Sequence, residues 1–233
     1  MGVRVAALYD VHGNLPALDA VLAELEDEEP DAIVFGGDLV WGPWPSECLA
    51  RAESLGGRAV FVRGNCELLV LAGASPAHAW ARERLSDLER GRIATWPMTR
   101  VLDVDGLGHT LFCHATPRNE DEVLLPESPE RIWREALGGV EERTVVCGHT
   151  HLQSERDVGG IRVVNPGSVG APTVRPVAWW AMLGPEVDLR TTTYDTEATI
   201  AAAEAFFPEP AAFARWLRDP PTYEQRVAAL TPT

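Results

Sequence analysis

The sequence has too little positive charge for a nucleic-acid polymer or an anionic membrane surface to be its main partner. Its 233 residues include 20 Lys and Arg against 35 Asp and Glu, which gives a formal net charge of −15 at pH 7. Both kinds of partner bind through local clusters of basic residues. We therefore expect neither of these partners. A small anionic substrate would need bound cations to offset the negative charge of the protein.

Membrane-spanning and secretory signals are also missing. No apolar run approaches the length of a membrane span, and residues 1–9 lack the layout of a signal peptide. The four cysteines, at positions 48, 66, 113 and 147, form no CxxC pair. A zinc ribbon and a thioredoxin-type motif are therefore excluded. Together these absences predict a cytoplasmic protein in a reducing compartment.

The sequence contains no low-complexity linker and no internal repeat. Hydrophobic residues make up 45% of the chain and charged residues 24%, as in ordinary globular proteins. A chain of this length can bury a substantial core in one large α/β domain. We predict a single domain over residues 1–233, with residues 196–233 as a helical tail packed on it.

Buried-strand patterns alternate with amphipathic-helix patterns through the first part of the chain. We predict strands at residues 3–8, 32–35, 58–62 and 144–147, and helices after Asn14, at 46–55, at 76–93 with one break, and at 128–137. Such alternation implies parallel strands, with the functional residues at their carboxyl ends.

The hydrophobic period changes after residue 98. Alternation up to the Asp105-Gly106 turn, followed by the apolar run 109–113, predicts a β-hairpin. Strand-like runs at residues 153–158, 161–164, 177–183 and 187–194 predict an antiparallel second half. The Ala-rich segment 196–230 has a helical pattern, which we interpret as packing rather than function.

Polar side chains of metal-ligand type follow the predicted strands. They are Asp10, His12, Asp38, Asn65, His114, His149 and His151. Asp10 and His12 are two positions apart at a strand end, so both can converge on one ion. Each residue alone has a structural alternative, such as turn chemistry at Asp10 and Asn65 or a strand cap at His114. Ligand types at five separate strand ends favour a metal site.

These motifs resemble those of the calcineurin-like metallophosphoesterases. The resemblance rests on Asp10-Val11-His12, Gly37-Asp38 with Gly42, Gly64-Asn65-Cys66-Glu67, His114, and Gly148-His149-Thr150-His151, in the family's order. The runs 114–118 and 165–170 look typical of the small prokaryotic phosphodiesterase branch, which includes diadenosine polyphosphate hydrolase-like members. The resemblance implies the metallo-dependent phosphatase fold, an α/β/β/α sandwich of two facing mixed β-sheets flanked by helices.

The resemblance also implies a centre of two metal ions. Asp10, His12 and His151 would bind one ion, Asn65, His114 and His149 the other, and Asp38 would bridge them. Two cations about 3.5 to 4 Å apart polarise a phosphoryl group and activate a bridging hydroxide for in-line attack on phosphorus. Mixed oxygen and nitrogen ligands suit Mn, Fe, Zn or Ni better than Ca. Mn is our leading expectation.

Asp38, Asn65, His114 and Cys66 are the predicted catalytic residues. Cys66 stands where many larger phosphatases carry a His thought to protonate the leaving group or to orient the phosphate. A thiol, with an ordinary pKa of about 8.5, is a poorer acid partner than an imidazole. We expect a preference for good leaving groups or pyrophosphate linkages. The alternative is that Cys66 only packs beside the site.

Two further residues are candidates for substrate binding. Arg118 could reach a phosphate with its planar guanidinium, and Asn14 could add a hydrogen bond. The alternatives are a solvated loop charge at Arg118 and a helix cap at Asn14. Trp41 and Trp44 could form an aromatic wall for a base, or a hydrophobic lid or oligomer contact.

The sequence thus predicts a phosphoesterase that hydrolyses small phosphodiesters or dinucleoside polyphosphates. A phosphomonoesterase for a nucleotide or sugar phosphate is one alternative. A non-catalytic interaction scaffold is another, which the full set of ligand residues disfavours. A doubly wound nucleotide-binding module would need a glycine-rich loop after the first strand, where only Gly13 is present. The expected partner is a small phosphorylated molecule, and a homo-oligomer stays open.

Overall fold

The computed structural model describes residues 2–231. Its first-half elements are β1 (Val5–Leu8), α1 (Leu15–Glu28), β2 (Ala32–Phe35), α2 (Pro45–Glu53), β3 (Ala59–Phe61), α3 (Asn65–Ala72), α4 (Pro76–Arg84) and α5 (Asp87–Ile93). They are followed by β4 (Thr99–Val104), β5 (Gly108–Cys113), α6 (Glu130–Ala136), β6 (Thr144–Val146), β7 (Ser154–Val158), β8 (Ile161–Asn165), β9 (Ala178–Leu183), β10 (Val187–Thr192), α7 (Thr196–Glu204), α8 (Pro210–Arg218) and α9 (Tyr223–Leu230).

Within residues 2–231, the strands form two mixed sheets of five. The first sheet has the order β10-β9-β1-β2-β3 and the second the order β4-β5-β6-β8-β7. β1, β2 and β3 are parallel, with β9 and β10 added antiparallel. β6 is parallel to both β5 and β8, and β4 and β7 are antiparallel at the edges. The carboxyl ends of the parallel strands carry the candidate site.

Side-chain alternation along the strands builds the layers. Val5 of β1 lies in one buried cluster with Phe112 of β5, between the two sheets. Its neighbour Ala6 packs on the opposite face with Leu18 of α1. On the outer face of the second sheet, residues of β6 pack with Trp133 of α6. This layering confirms the predicted α/β/β/α sandwich.

The structure differs from the sequence prediction in its details. Residues 65–72 form α3, which the sequence does not predict because this apolar run shows no amphipathic period. In the structure, Leu68 and Leu69 of this helix are exposed. The break predicted within residues 76–93 is confirmed, because α4 and α5 are separate helices and Ser86 starts α5 with a capping box. The two late hairpins are antiparallel as predicted, but they join different sheets, and β8 pairs in parallel with β6.

The helical tail packs as a small layer of its own. Ile200, Phe207, Phe213 and Leu217 form a buried cluster that contacts Trp44 near the start of α2. Within residues 2–231, no helix has the length and apolar character needed to cross a bilayer.

Candidate metal centre

The turns that follow β1 and β2 are hydrogen-bonded to each other. The backbone N–H of Asp10 donates to the Gly37 carbonyl at 3.1 Å, and that of His12 donates to the Asp38 carbonyl at 2.8 Å. Asp10, His12 and Asp38 have φ angles of 53°, 48° and 55°. Asp10 and His12 do converge as expected, but through left-handed turns rather than through strand alternation.

The buried carboxylate of Glu67, on α3, holds the turn that carries Asp38. It accepts hydrogen bonds from the backbone N–H groups of Asp38 and Leu39, both at 2.8 Å, and of Gly64 at 2.7 Å. The N–H of Cys66 donates to Asp38 Oδ1 at 2.8 Å. The first turn of α3 therefore fixes the position of the Asp38 carboxylate.

Three histidines reach the same place from the second sheet. His114 follows β5, and His149 and His151 follow β6. The Nδ1 atoms of His114 and His151 lie 2.9 Å from the carbonyl oxygens of Gly36 and Ala171, respectively. These contacts assign the proton of each neutral ring to Nδ1, so the Nε2 lone pair is left for a ligand.

The side chains form two adjoining groups of ligand atoms. One group is Asp10, His12 and His151, the other is Asp38, His114 and His149, and the atoms of each group lie within 4.8 Å of one another. His151 Nε2 is 3.3 Å from Asp10 Oδ1, and His114 Nε2 is 3.5 Å from Asp38 Oδ1. Asp38 Oδ2 is also 3.9 Å from His12 Nε2. The Asp38 carboxylate thus lies between the groups.

The arrangement of acceptors fits a bound cation. Asn65 Oδ1 lies 3.0 Å from His114 Nε2, so in the neutral Nδ1–H form of His114 two lone-pair atoms would face each other. Asp10 Oδ1 is buried and has no hydrogen-bond partner within residues 2–231. An unpaired buried carboxylate oxygen and converging acceptors are costly unless a cation is shared. Carboxylate, amide and imidazole donors together suit a divalent transition metal.

Burial keeps three of the imidazoles neutral. Burial lowers the pKa of His12, and His151 lowers it further, because two adjacent imidazoles do not both take up a proton. Burial and then His114 lower the pKa of His149 to about 3. Burial and then Arg226 lower the pKa of His151. A neutral imidazole is the form that binds a metal ion, so these residues need lose no proton to do so near neutral pH.

At His114, the negative charges of the carboxylates oppose the effect of burial on the pKa. Burial alone would lower the pKa of His114, but the carboxylates of Asp38 and Asp10 outweigh it and raise that pKa. Burial opposes ionisation of Asp10 too, yet the neighbouring imidazoles, His151 first, hold its pKa well below the usual range. Burial, with Asp10 nearby, raises the pKa of Asp38. The negative charge of the buried carboxylates therefore favours a bound cation in the cluster.

Backbone strain is concentrated at the cluster. Seven non-glycine residues within the described chain have positive φ, and five of them are Asp10, His12, Asp38, His149 and His151. Such conformations cost about 1 to 3 kcal/mol each and persist where the surroundings enforce them. The backbone also approaches the cluster closely at Gly64. A Cβ on this residue would lie 2.2 Å from Asp38 Oδ1, so the position requires glycine.

The structure brings all seven predicted ligand residues together, and Cys66 lies with them. Cys66 is buried, and its Sγ forms a third group of candidate ligand atoms with His12 and Asp38. Burial, and then the charge of Asp38, raise the pKa of the Cys66 thiol well above its ordinary value. The catalytic roles predicted for Asp38, Asn65, His114 and Cys66 stay predictions.

The two predicted substrate-binding residues are engaged elsewhere. Arg118 is exposed, pairs with Glu122 and donates to the Glu135 carbonyl. Asn14 is buried; its Oδ1 caps α1, and its Nδ2 donates to the Gly170 carbonyl and to Tyr194 Oη. Asn14 therefore caps a helix, which is the alternative role expected from the sequence. Substrate contact by Arg118 or Asn14 stays a prediction, and the observed contacts do not support it.

Sequence reasoning missed three residues that border the cluster. Glu67 was noted only as part of a motif, and Trp216 and Arg226 belong to the segment interpreted as packing. Arg226 donates to the main-chain carbonyls of Thr150 and His149. The contacts of Trp216 and Arg226, and those of Glu67 with the turn at Asp38, join residues far apart in sequence, so no local pattern in the chain carried a signal for them.

The fold and the cluster define an α/β/β/α protein with a candidate metal centre. The sequence profile of the calcineurin-like phosphoesterase superfamily domain matches residues 3–184. The chain therefore belongs to the calcineurin-like phosphoesterase superfamily, whose members normally bind divalent metals.

Individual relatives agree with this assignment. A crystal structure of a metallophosphoesterase from Sphaerobacter thermophilus matches with a TM-score of 0.75 and 25% identity, over 93% of this chain and 98% of that chain. The uncharacterised protein MJ0912 of Methanocaldococcus jannaschii is 26% identical over 195 residues, 72% of this chain and 76% of its own length. The symmetrical bis(5'-nucleosyl)-tetraphosphatase of Nitrosococcus oceani is 28% identical over 165 residues, 67% of this chain and 58% of that enzyme. This chain thus spans less than two thirds of the tetraphosphatase.

Proposed function

We propose that this chain is a metal-dependent phosphoesterase with a dinuclear centre that hydrolyses small phosphodiesters or dinucleoside polyphosphates. The observation that carries the proposal is the pair of adjoining ligand groups, with the Asp38 carboxylate between His12 and His114. A single ion needs one such group, whereas two groups sharing a carboxylate suit two ions. The similarity to a symmetrical tetraphosphatase supports the choice of substrate class.

The residues fall into two sets of ligands under this proposal. Asp10, His12 and His151 would hold one ion, Asn65, His114 and His149 the other, and Asp38 both. When bound, the ions would supply Lewis acidity towards a phosphoryl oxygen and lower the pKa of water. Manganese is our first choice, with iron, zinc or nickel as alternatives, since the donors mix oxygen and nitrogen.

The protein's own contribution is to fix these groups before substrate arrives. Glu67 holds the Asp38 turn, and the carbonyls of Gly36 and Ala171 fix the rings of His114 and His151. Such outer contacts keep each ligand in one rotamer and one tautomer. The electron-pair donors therefore point at the centre without reorganisation when a phosphate ester binds.

The test is hydrolysis by metal-stripped protein after addition of Mn²⁺, Ni²⁺, Fe²⁺, Zn²⁺ or Mg²⁺ singly. Substrates are bis-p-nitrophenyl phosphate, p-nitrophenyl phosphate and diadenosine tetraphosphate. We expect metal-dependent cleavage of the diester or the polyphosphate, and its loss in Asp38→Asn, which keeps the shape of the side chain. Faster cleavage of the monoester would favour a phosphomonoesterase. Metal binding without turnover of any substrate would favour a non-catalytic scaffold.

A further inference from the structure

The C-terminal helices α8 and α9 reach the metal cluster. The ring centroid of Trp216, on α8, lies 6.1 Å from that of His12 and 5.6 Å from that of Trp41. Arg226, on α9, donates from Nε to the Thr150 carbonyl at 2.9 Å and from Nη2 to the His149 carbonyl at 3.3 Å. Both helices follow residue 184, where the superfamily profile ends.

Arg226 has hydrogen-bonding capacity that the described chain does not use. A guanidinium donates from three nitrogens, and in residues 2–231 Arg226 donates from Nε and Nη2, to main-chain carbonyls. It forms no ion pair within that range, although the sequence has 35 Asp and Glu. After burial, its charge is one of the causes that lower the pKa of His12 and His151. A half-buried cation with spare donors beside a metal cluster suits a phosphate oxygen.

Two cavities meet at Trp216. A cavity of about 130 Å³ is lined by His12, Trp41 and Trp216, so a candidate metal ligand and two indole rings share its wall. A second cavity of about 380 Å³ is lined by Trp216, Arg215 and Arg226. The Nε1 of Trp41 is buried and has no hydrogen-bond partner in the described residues. Aromatic walls with a nearby donor suit a nucleobase, which has a flat π face and acceptor nitrogens.

We propose that α8 and α9 form the substrate-binding wall of the metal centre, where Arg226 binds a phosphate of the substrate and Trp216 with Trp41 binds its base. The substrate class is then a nucleoside phosphate. This inference rests on the proposed function, because it assigns the substrate of the same site. It gives the helical tail a role in recognition as well as in packing.

The binding test uses Mn²⁺-loaded protein and three probes: inorganic phosphate, adenosine and adenosine 5'-monophosphate. In titration calorimetry, Arg226→Gln should raise the Kd for phosphate and for the monophosphate at least about tenfold, the usual scale of a charge-assisted contact. Arg156→Gln is the matched control, because Arg156 is also half-buried and donates to two main-chain carbonyls, of Pro126 and Ser128. A phosphate Kd for Arg226→Gln within twofold of this control overturns the role of Arg226.

Trp216 is tested with the base. Trp216→Leu should raise the Kd for adenosine and for the monophosphate about tenfold and leave the phosphate Kd unchanged, since stacking on indole is lost. Trp80→Leu is the control, because Trp80 packs against Phe206 and Phe207 and lines neither cavity. Equal adenosine binding by the two variants overturns the role of Trp216.

A measurement on the unmodified sequence covers the case in which Arg226→Gln does not fold. Adenosine 5'-monophosphate should protect Arg226, but not Arg156, from phenylglyoxal, as read by mass spectrometry. Equal labelling of Arg226 with and without the nucleotide overturns the inference. Failure of the proposed function looks different, because bis-p-nitrophenyl phosphate and diadenosine tetraphosphate would then stay intact with every metal. Turnover of these substrates with no effect of either variant on binding retains the proposed function and rejects this wall.

Discussion

His149 stays neutral in the folded protein over most of the acidic range, because burial and His114 lower its pKa to about 3. In the unfolded chain a histidine takes up its proton at a pKa of about 6.5. The unfolded state therefore binds more protons between these values, and the free energy of unfolding decreases as the pH falls through that range. One such group changes it by up to about 1.4 kcal/mol per pH unit.

We expect His149→Asn to reduce this pH dependence. The measurement is urea unfolding of the chelator-treated protein between about pH 4.5 and pH 6.5. The slope of unfolding free energy against pH should fall by about 1 kcal/mol per pH unit relative to wild type. His109→Asn is the control, since His109 is exposed on β5. Equal slopes in the His149 variant and the wild type would contradict the prediction.

Cys66 presents a thiol to the cluster where an imidazole would be a better proton donor. We expect Cys66→His to raise the ratio of activity on an alkyl phosphate to activity on bis-p-nitrophenyl phosphate at least about tenfold, because general acid catalysis matters most for poor leaving groups. Cys66→Ser, which adds no imidazole, should leave this ratio near that of wild type. If Cys66→His leaves it unchanged too, Cys66 only packs beside the site.

The residue types at the strand ends could be predicted, but the contacts that hold them could not. Asp10, His12 and His114 stand out because ligand side chains directly follow apolar runs. The bond from Cys66 N–H to Asp38 Oδ1 joins residues 28 positions apart. The bond from Arg226 to Thr150 joins residues 76 positions apart. Such pairs depend on tertiary packing, which a single sequence does not reveal.

At the scale of elements, α3 links the turn after β3 to the turn after β2. Glu67, in its first turn, accepts from backbone N–H groups on both. Glu67→Gln puts an NH₂ group where a carboxylate oxygen now faces these donors. We expect it to lower the free energy of unfolding by about 2 to 4 kcal/mol, because buried donors lose their acceptor. Mn²⁺ affinity should also fall by about tenfold or more, as for other residues that orient metal ligands.

Urea unfolding and metal titration of Glu67→Gln check this prediction, with Glu89→Gln as the control. Glu89 also accepts from the backbone N–H of its own helix cap, at Ser86, but does so at an exposed helix start. That substitution should cost about 1 kcal/mol and leave Mn²⁺ affinity unchanged. Similar stability and metal binding in the two variants would show that Glu67 does not position the Asp38 turn.

At the scale of the whole molecule, strand order was the part that a single sequence left undetermined. The parallel pairing of β1 and β2 could be predicted from strand and helix alternation. The return of β9 to the edge of β1 could not, because Val5 pairs with Leu183 across most of the chain. This return buries β1 between two neighbouring strands. The turn that carries Asp10 is hydrogen-bonded to Gly37 on one side and to Gly170 on the other.

The buried cluster collects its ligands from both sheets, so a bound metal should stabilise the entire fold. A ligand that binds only the folded state at about 100 times its Kd adds about 2.7 kcal/mol to the free energy of unfolding. In a protein of this size, that corresponds to a rise in Tm of at least about 5 °C.

We therefore expect saturating Mn²⁺ to raise the Tm of chelator-treated protein by this amount, as measured by scanning calorimetry. Asp38→Asn should abolish most of the shift, whereas Asp19→Asn, which removes a surface ion pair with Arg51, should retain it. An equal Tm with and without metal would mean that the convergent carboxylates and imidazoles are not a metal centre in this chain.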